Sequence, residues 1–388
     1  MIEFKQGNIL EENAEAFVNT VNCVGVMGKG VALQFKQAFP ENFLAYKKAC
    51  TAKEVQPGKM FIFPTGQLFP RYLINFPTKR HWKEKSRLED IQTGLKALVA
   101  VVRQLEIRSI AIPSLGCGNG GLDWAEVKPL IEEALSEIPE VKAIIFEPQG
   151  APVADKMKVA TEKPQMTRAR ALFVRLLELY GIPGYRLSKL EIQKLAYFLQ
   201  VAGEPLRLRY VRHQYGPYAD NLNHVLQKIE GHFIRGYGDR SQKSDIYVLP
   251  EGSKEAAAFL ATHQDSRERL ERVSNLITGF ETPYGMEMLA TLHWVAIEDP
   301  QAAVDCERAI ERVQQWSDRK GELFKPNHLR KAWQSLHEQN WWSVTDAQTN
   351  PWVSPWTGDN NRSNIKPAAN LLPCSRLDWP KETQHRIK

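Results

Sequence analysis

Two glycine-rich segments constrain this chain more than any other feature. The first, NCVGVMGKG at residues 22–30, follows a short apolar run and leads straight into an amphipathic one; the second, PSLGCGNGG at 113–121, does the same. Glycine lets a backbone take positive φ and approach a ligand closely. A helix starting directly after such a loop offers free N–H groups to an anion. Either loop alone is most simply a tight turn between a strand and a helix. Two of them at the carboxyl ends of strands outline a cleft suited to a diphosphate. The best-known competitors do not fit, because GVMGKG is not the GxGxxG dinucleotide fingerprint and no GxxxxGK[ST] run occurs. A Rossmann dehydrogenase and a P-loop nucleotidase are thereby set aside.

Around these loops the apolar spacing alternates between strand and helix periods. Residues 1–5, 17–21, 59–63, 72–76, 109–113 and 141–146 read as strands. Residues 31–39, 41–50 and 123–138 read as helices, and Leu88, Ile91, Leu95, Leu98, Val102 and Leu105 line one face of another. Residues 1–150 are therefore predicted to form a three-layer α/β domain, a largely parallel sheet with helices on both faces. Residues 149–165 carry Gly150, Pro152 and Pro164 with little periodicity, so a linker is expected over 151–165. A mainly helical domain is expected over 166–345, with amphipathic runs at 167–180, 189–201 and 221–229. It also holds a glycine- and aromatic-rich stretch at 231–239 and a short strand at 246–249. A winged-helix-like core is one form it could take. Residues 346–388 are rich in Pro, Asn and Trp without pattern, and an irregular tail is expected there.

Composition narrows the class. A length of 388 residues suggests two or three domains. The cysteines Cys23, Cys50, Cys117, Cys306 and Cys374 are scattered, with no CxxC and no HExxH spacing anywhere. No metal site, disulfide framework or cofactor is assigned on that pattern. The apolar run at 97–102 is far shorter than a membrane span, and residues 1–5 lack the basic start of a signal peptide. A cytoplasmic protein with no membrane partner is expected. The net charge of +6 is too mild to identify a nucleic-acid binder. One local cluster is denser: Arg71, Lys79, Arg80, Lys83, Lys85 and Arg87 stand against the single Glu84. Such a run is usually a solvated surface, but this one adjoins the segment NFPTKRHW at 75–82.

Four motifs in order, GNI at 7–9, VNTVN at 18–22, GKGVA at 28–32 and IPSLGCG at 112–118, resemble those of macrodomains, the ADP-ribose-binding α/β family. The resemblance covers the whole N-terminal domain. It implies that Thr20, Val21, Asn22, Gly28, Lys29, Gly30, Val31 and Ala32 hold the distal ribose side of the ligand. It further implies that Ser114, Leu115, Gly116, Cys117, Gly118, Asn119 and Gly120 cradle the diphosphate. Asn8 and Ile9 would sit near the adenine, with Asn8 standing where the family often has Asp. Within the macrodomains, NFPTK at 75–79, GCGNGGLDW at 116–124 and the chain length resemble the DarG-type antitoxins and the related terminal ADP-ribose glycohydrolases. That resemblance makes Lys79 the catalytic residue, with Thr78 beside it. It implies removal of ADP-ribose from thymidine in single-stranded DNA, undoing the work of a DarT-type ADP-ribosyltransferase toxin. The glycohydrolases also use an Asp in the second loop; Gly120 lies at that spacing here, and Asp123 nearby opens a helix, where an acid is common.

The chemistry is plausible from the residue itself. A free lysine, with pKa about 10.4, is a poor nucleophile at pH 7. Burial and neighbouring cations lower that value, and Arg80 and Lys83 are close in sequence. A neutral amine can attack the ribose C1 or form a Schiff base with it. Two other readings stay open: a non-catalytic ADP-ribose reader in which Lys79 only contacts phosphate, and a hydrolase of protein or free ADP-ribosyl esters. Trp82 suits stacking on a base as well as packing on the domain. In the second half, SKLEIQKLAYFLQ at 188–200 and YVRHQYGPY at 210–218 resemble DarG-type antitoxins, which implies toxin binding. Leu195, Tyr197 and Phe198 read as core. Trp341, Trp342, Trp352 and Trp356 suggest extra packing or a partner surface.

Overall fold

The computed structural model describes residues 1–148, 152–180, 185–240 and 244–342. The expected tail at 346–388, with Trp352 and Trp356, lies outside the described residues. The chain divides into two compact units, one of residues 1–165 together with 227–249, the other of 166–226 with the residues from 250 on.

In the first unit the elements run β1 (Ile2–Lys5), β2 (Ala16–Asn22), α1 (Gly30–Ala38), α2 (Pro40–Thr51), β3 (Phe61–Pro64) and β4 (Tyr72–Lys79). Then come α3 (Leu88–Gln104), β5 (Ser109–Pro113), α4 (Trp124–Ser136) and β6 (Lys142–Phe146). The sheet order is β1-β6-β5-β2-β4-β3. All neighbours are parallel except β3, which pairs antiparallel with β4, so the sheet is mixed. Successive strand side chains point to opposite faces, and here both faces are covered. Val18, Ile74, Phe76, Ile112 and Ile145 pack with Ile91, Leu95 and Leu98 of α3 and Val127 and Ile131 of α4. Their strand neighbours Phe17, Leu73, Ala111 and Ile144 pack on the other side with Phe35 of α1. A strand buried on both faces reads as continuous apolar sequence rather than alternation, as AIIF at 143–146 does. The fold is the expected three-layer α/β arrangement. Strand β4 runs three residues beyond the expected end at 76, which puts Thr78 and Lys79 on the strand itself.

The segment expected as a linker is packed. Residues Ala154–Lys156 form a short 3-10 turn. The Ala160 N–H donates to the Gln37 carbonyl of α1 at 2.8 Å. A two-stranded antiparallel sheet, β7 (Ile234–Arg235) with β8 (Tyr247–Val248), returns to this unit from far along the chain.

The second unit contains α5 (Arg168–Tyr180), α6 (Lys189–Val201), the greater part of α7 (Leu222–Ile229), α8 (Pro250–Leu260) and α9 (Gln264–Ile277). It continues with α10 (Pro283–Glu298), α11 (Cys306–Gln314), α12 (Asp318–Leu323) and α13 (Pro326–Glu338). The strands β7 (Ile234–Arg235) and β8 (Tyr247–Val248) belong to the first unit, so the second is helical among its described elements and lacks the hairpin of a winged helix. Helix α6 begins at Ser188 with a capping box completed by Glu191, which satisfies two orphan N–H groups reciprocally. Leu195, Tyr197 and Phe198 are core, and the Tyr197 hydroxyl meets His293 Nδ1 at 2.8 Å. Trp341 is buried against Phe198. Glu287, also buried, accepts from Lys320 Nζ at 2.6 Å and from Arg319 at 2.7 and 3.1 Å.

Candidate active site

The register of β2 and β4 brings the first glycine loop and the candidate lysine together. The ladder shifts by one residue between Val21 and Asn22, so that Asn22 pairs with Lys79. The Asn22 side chain then folds the loop. Its amide oxygen accepts from the N–H groups of Val24 at 3.0 Å and Val26 at 3.3 Å, while its NH2 donates to the Val26 carbonyl at 2.5 Å. The Tyr46 hydroxyl of α2 donates to the Asn22 carbonyl. Behind this turn, buried asparagines bind β2, β4 and α2 together: Asn19 donates to Asn75 at 2.9 Å, and Asn75 donates to Asn42 at 2.8 Å. Thr78 is buried, with its hydroxyl 3.5 Å from the Val21 carbonyl.

The two glycine loops meet at the start of α1. Gly30 has φ +63, and a Cβ there would lie 2.7 Å from the amide nitrogen of Asn119. The Asn119 carbonyl in turn accepts a hydrogen bond from Lys79 Nζ. Lys79 is half-buried, and its pKa is lowered first by burial and then by the Lys29 ammonium. The expected source of that field needs correcting. Arg80 is turned away onto Asp90, with hydrogen bonds of 3.0 and 3.2 Å. The cation acting on Lys79 comes from 50 positions earlier, because residue 29 closes the loop that lies beside β4.

The second loop is held by its own backbone. Cys117 N–H donates to the Ser114 carbonyl at 3.2 Å, Gly121 to Gly118 at 3.1 Å, and Leu122 to Gly116 at 3.1 Å. Gly116 needs φ +74, and a Cβ on Gly120 would lie 2.1 Å from the Gly116 carbonyl oxygen. Gly118 is exposed and has nothing within 4 Å of the position its Cβ would take. Burial, followed by the Asp123 charge, pushes the Cys117 thiol up to about 11, so it is neutral near pH 7. Asp123 accepts from the Ala125 N–H at 3.0 Å as the cap of α4.

The remaining candidates spread along the sheet. Asn8 caps the turn after β1, accepting from Leu10 N–H at 3.0 Å, and Ile9 is buried in the core. Leu115 is buried as well, and Thr20, Val31, Ala32 and Ser114 are half-buried. Strand β1 lies four places from β4, a distance of roughly 19 Å at the usual strand spacing. That span suits an extended ligand. Beyond Lys79 the basic cluster is open to solvent: Trp82 is 50% exposed, with Lys83 Nζ 5.1 Å from the centre of its ring.

Sequence reasoning missed residues 236–240. The Asp239 carbonyl accepts from the Gly30 N–H at 2.8 Å, the Asp239 carboxylate accepts from Gln34 Nε2 at 2.8 Å, and Arg240 donates to the Gly28 carbonyl at 3.3 Å. The glycine- and aromatic-rich texture of 231–239 was the available signal, and its position among helices assigned it to the wrong half.

Two glycine loops at the carboxyl ends of β2 and β5, facing a lysine on β4, define a macro domain, and the Macro domain family profile matches residues 18–131. The likeness to known proteins extends well past that domain. Over 337 residues, 87% of this chain and 93% of the relative, the sequence is 49% identical to the DNA ADP-ribosyl glycohydrolase of Thermus aquaticus. It is 41% identical to that of Mycobacterium tuberculosis over 86% of this chain and 98% of the relative. The chain belongs to the DNA ADP-ribosyl glycohydrolase family. A third relative, from Thermosipho africanus, is a DNA ADP-ribosyl transferase–DNA ADP-ribosyl glycohydrolase fusion protein, 32% identical over 39% of this chain and 42% of that one.

Proposed function

We propose that this chain is a cytoplasmic antitoxin that hydrolyses ADP-ribose from thymidine in single-stranded DNA and so reverses a DarT-type toxin. The observation that carries this reading is Lys79, a half-buried lysine with lowered pKa held between two glycine loops. Residues 1–150 do the chemistry: Asn8 and Ile9 face the adenine, loop two receives the diphosphate, and loop one holds the distal ribose. The neutral Lys79 amine attacks the ribose C1; the bond from C1 to the base breaks, and the base leaves with the electron pair and takes up a proton. Water hydrolyses the lysine adduct, releasing ADP-ribose and restoring the amine. The loops orient the sugar, which removes much of the entropic barrier. The exposed Trp82 and the lysines around it receive the DNA strand. Residues 166–345 bind the toxin, a partner suggested by the relative that joins a transferase to a glycohydrolase in one chain.

Incubation with a thymidine-ADP-ribosylated oligonucleotide tests the reading. Release of ADP-ribose and unmodified DNA is expected. Tight ADP-ribose binding without release would favour the non-catalytic reader, and release only from esters would favour the third reading.

A further inference from the structure

The first unit is completed by residues 227–249, which follow some sixty residues of the second unit. Three contacts join this segment to loop one and α1. The Asp239 carbonyl takes the Gly30 N–H at 2.8 Å, the buried Asp239 carboxylate takes Gln34 Nε2 at 2.8 Å, and Arg240 donates to the Gly28 carbonyl at 3.3 Å. Further along, Lys36 Nζ lies 3.4 Å from Gln227 Oε1.

The segment is itself braced. The buried Glu230 carboxylate accepts the N–H groups of Gly236 and Tyr237, each at 3.2 Å. The Ser244 hydroxyl donates to the Tyr237 carbonyl at 3.0 Å. A Cβ on Gly236, at φ +97, would fall 1.9 Å from the Asp245 carbonyl oxygen. Arg240 holds φ +66, a conformation L-residues adopt rarely and keep where surrounding contacts impose it. Arg235 reaches the Met157 carbonyl at 3.3 Å, and Tyr247 the Asp155 carboxylate at 3.1 Å, which fastens the hairpin to residues 152–161.

We infer that Asp239 is a positioning residue for the reaction at Lys79, acting through a chain of three contacts that starts in the C-terminal half of the sequence. Asp239 fixes Gly30 through its backbone carbonyl, which the bond from Gln34 to its carboxylate keeps in place; Gly30, lacking a Cβ, lets the Asn119 side chain sit against it; and the Asn119 carbonyl holds Lys79 Nζ. The first N–H of α1, which an unassisted helix start leaves to solvent or ligand, is committed to the Asp239 carbonyl. The inference rests on the reading of Lys79 and the glycine loops as the ADP-ribose site.

The test uses the full chain carrying Asp239→Ala, Asp239→Asn, Gln34→Ala and the Asp239→Ala/Gln34→Ala pair. Asp239→Ala should lower kcat on ADP-ribosylated oligonucleotide and weaken ADP-ribose binding, each about tenfold, the size expected for one lost hydrogen bond to a charged group. Asp239→Asn keeps an oxygen for Gln34 and should restore both. Gln34→Ala should reproduce the loss, and the pair should lose no more than either single change. Hydrogen exchange over residues 28–36 should accelerate in Asp239→Ala and return to normal in Asp239→Asn, a readout that needs neither ligand nor turnover. Unchanged kcat and affinity in Asp239→Ala would overturn the inference. So would losses in the pair that multiply, or losses that track only the unfolded fraction. A wild-type protein that binds ADP-ribose but releases none from DNA would overturn the proposed function and leave the exchange result to judge Asp239.

Discussion

Two glycines in the second loop, two residues apart, should respond to substitution in opposite ways. A methyl on Gly120 would lie 2.1 Å from the Gly116 carbonyl oxygen and 2.3 Å from Ser86 Oγ, where ordinary contact begins at 3.4 Å. The shortfall of about 1.3 Å (3.4 − 2.1) falls on backbone, which cannot yield as a side-chain tip would. Opening the loop also loosens the 3.0 Å bond from Ser86 N–H to the Gly120 carbonyl. Overpacking costs roughly 1–3 kcal/mol, and a lost hydrogen bond adds about 1 kcal/mol. Gly120→Ala should therefore lower stability by about 2–4 kcal/mol. It should also weaken ADP-ribose by at least about tenfold, because binding must restore the closed loop. Gly118 has open space at its Cβ and no positive φ. Gly118→Ala should change stability by less than about 0.5 kcal/mol. Gly118→Glu should fold equally well yet place a carboxylate over the diphosphate. Like charges about 4–5 Å apart at an effective dielectric near 20 repel by roughly 3–4 kcal/mol, a loss of at least about 10²-fold in affinity. Denaturant melts beside calorimetric titration with ADP-ribose separate the two effects. Wild-type affinity in Gly118→Glu would remove loop two from the site, and wild-type stability in Gly120→Ala would refute the packing argument.

Lys79→Ala should lower kcat by at least about 10²-fold while calorimetry still shows ADP-ribose binding; parallel loss of both would make Lys79 a phosphate contact. Lys29→Gln removes a cation that lowers the Lys79 pKa, so the limb of the pH–rate profile along which activity rises should move to higher pH, and an unmoved limb would show that Lys29 exerts no field there. Neutralising Lys83 and Lys85 together should slow reaction on ADP-ribosylated DNA and flatten its salt dependence while sparing an ADP-ribosyl nucleoside; equal effects on both substrates would mean that the cluster does not grip DNA. Glu287→Ala strands the fully buried Lys320, and denaturant melts should register a loss of about 3–5 kcal/mol, the usual cost of orphaning a buried charge.

The N-terminal layers were legible because their signals are local. Strand β6 and helix α3 declare themselves by apolar spacing, and the glycine loops by composition between them. Lys79 and its neighbours were legible through the resemblance of whole motifs to known proteins. What escaped depends on register and on distance in sequence. That Lys29 rather than Arg80 acts on Lys79 follows from the pairing of Arg80 with Asp90 and from the loop that returns residue 29 to β4, and no spacing rule reports either. That Asn22 spends its amide folding its own loop is likewise set by the turn it closes. Residues 231–249 carry the pattern of a hairpin but nothing that names the surface it packs on. Their neighbours in sequence are helices of the other unit, and proximity along the chain misled.

The bond between Gln34 and Asp239 spans 205 residues. On a ribosome adding roughly 5–20 residues per second, that gap corresponds to a wait on the order of 10–40 s. Strands β3 to β6 are made within that gap, the last ending at Phe146, so the complete sheet can close and bury its faces for roughly 5–20 s, the time to add the next 93 residues (239 − 146). Its α1 end stays unfastened until residues 166–226, the first stretch of the second unit, have been made. The order of synthesis thus gives this protein a built-in delay between having a folded macro domain and having a finished one.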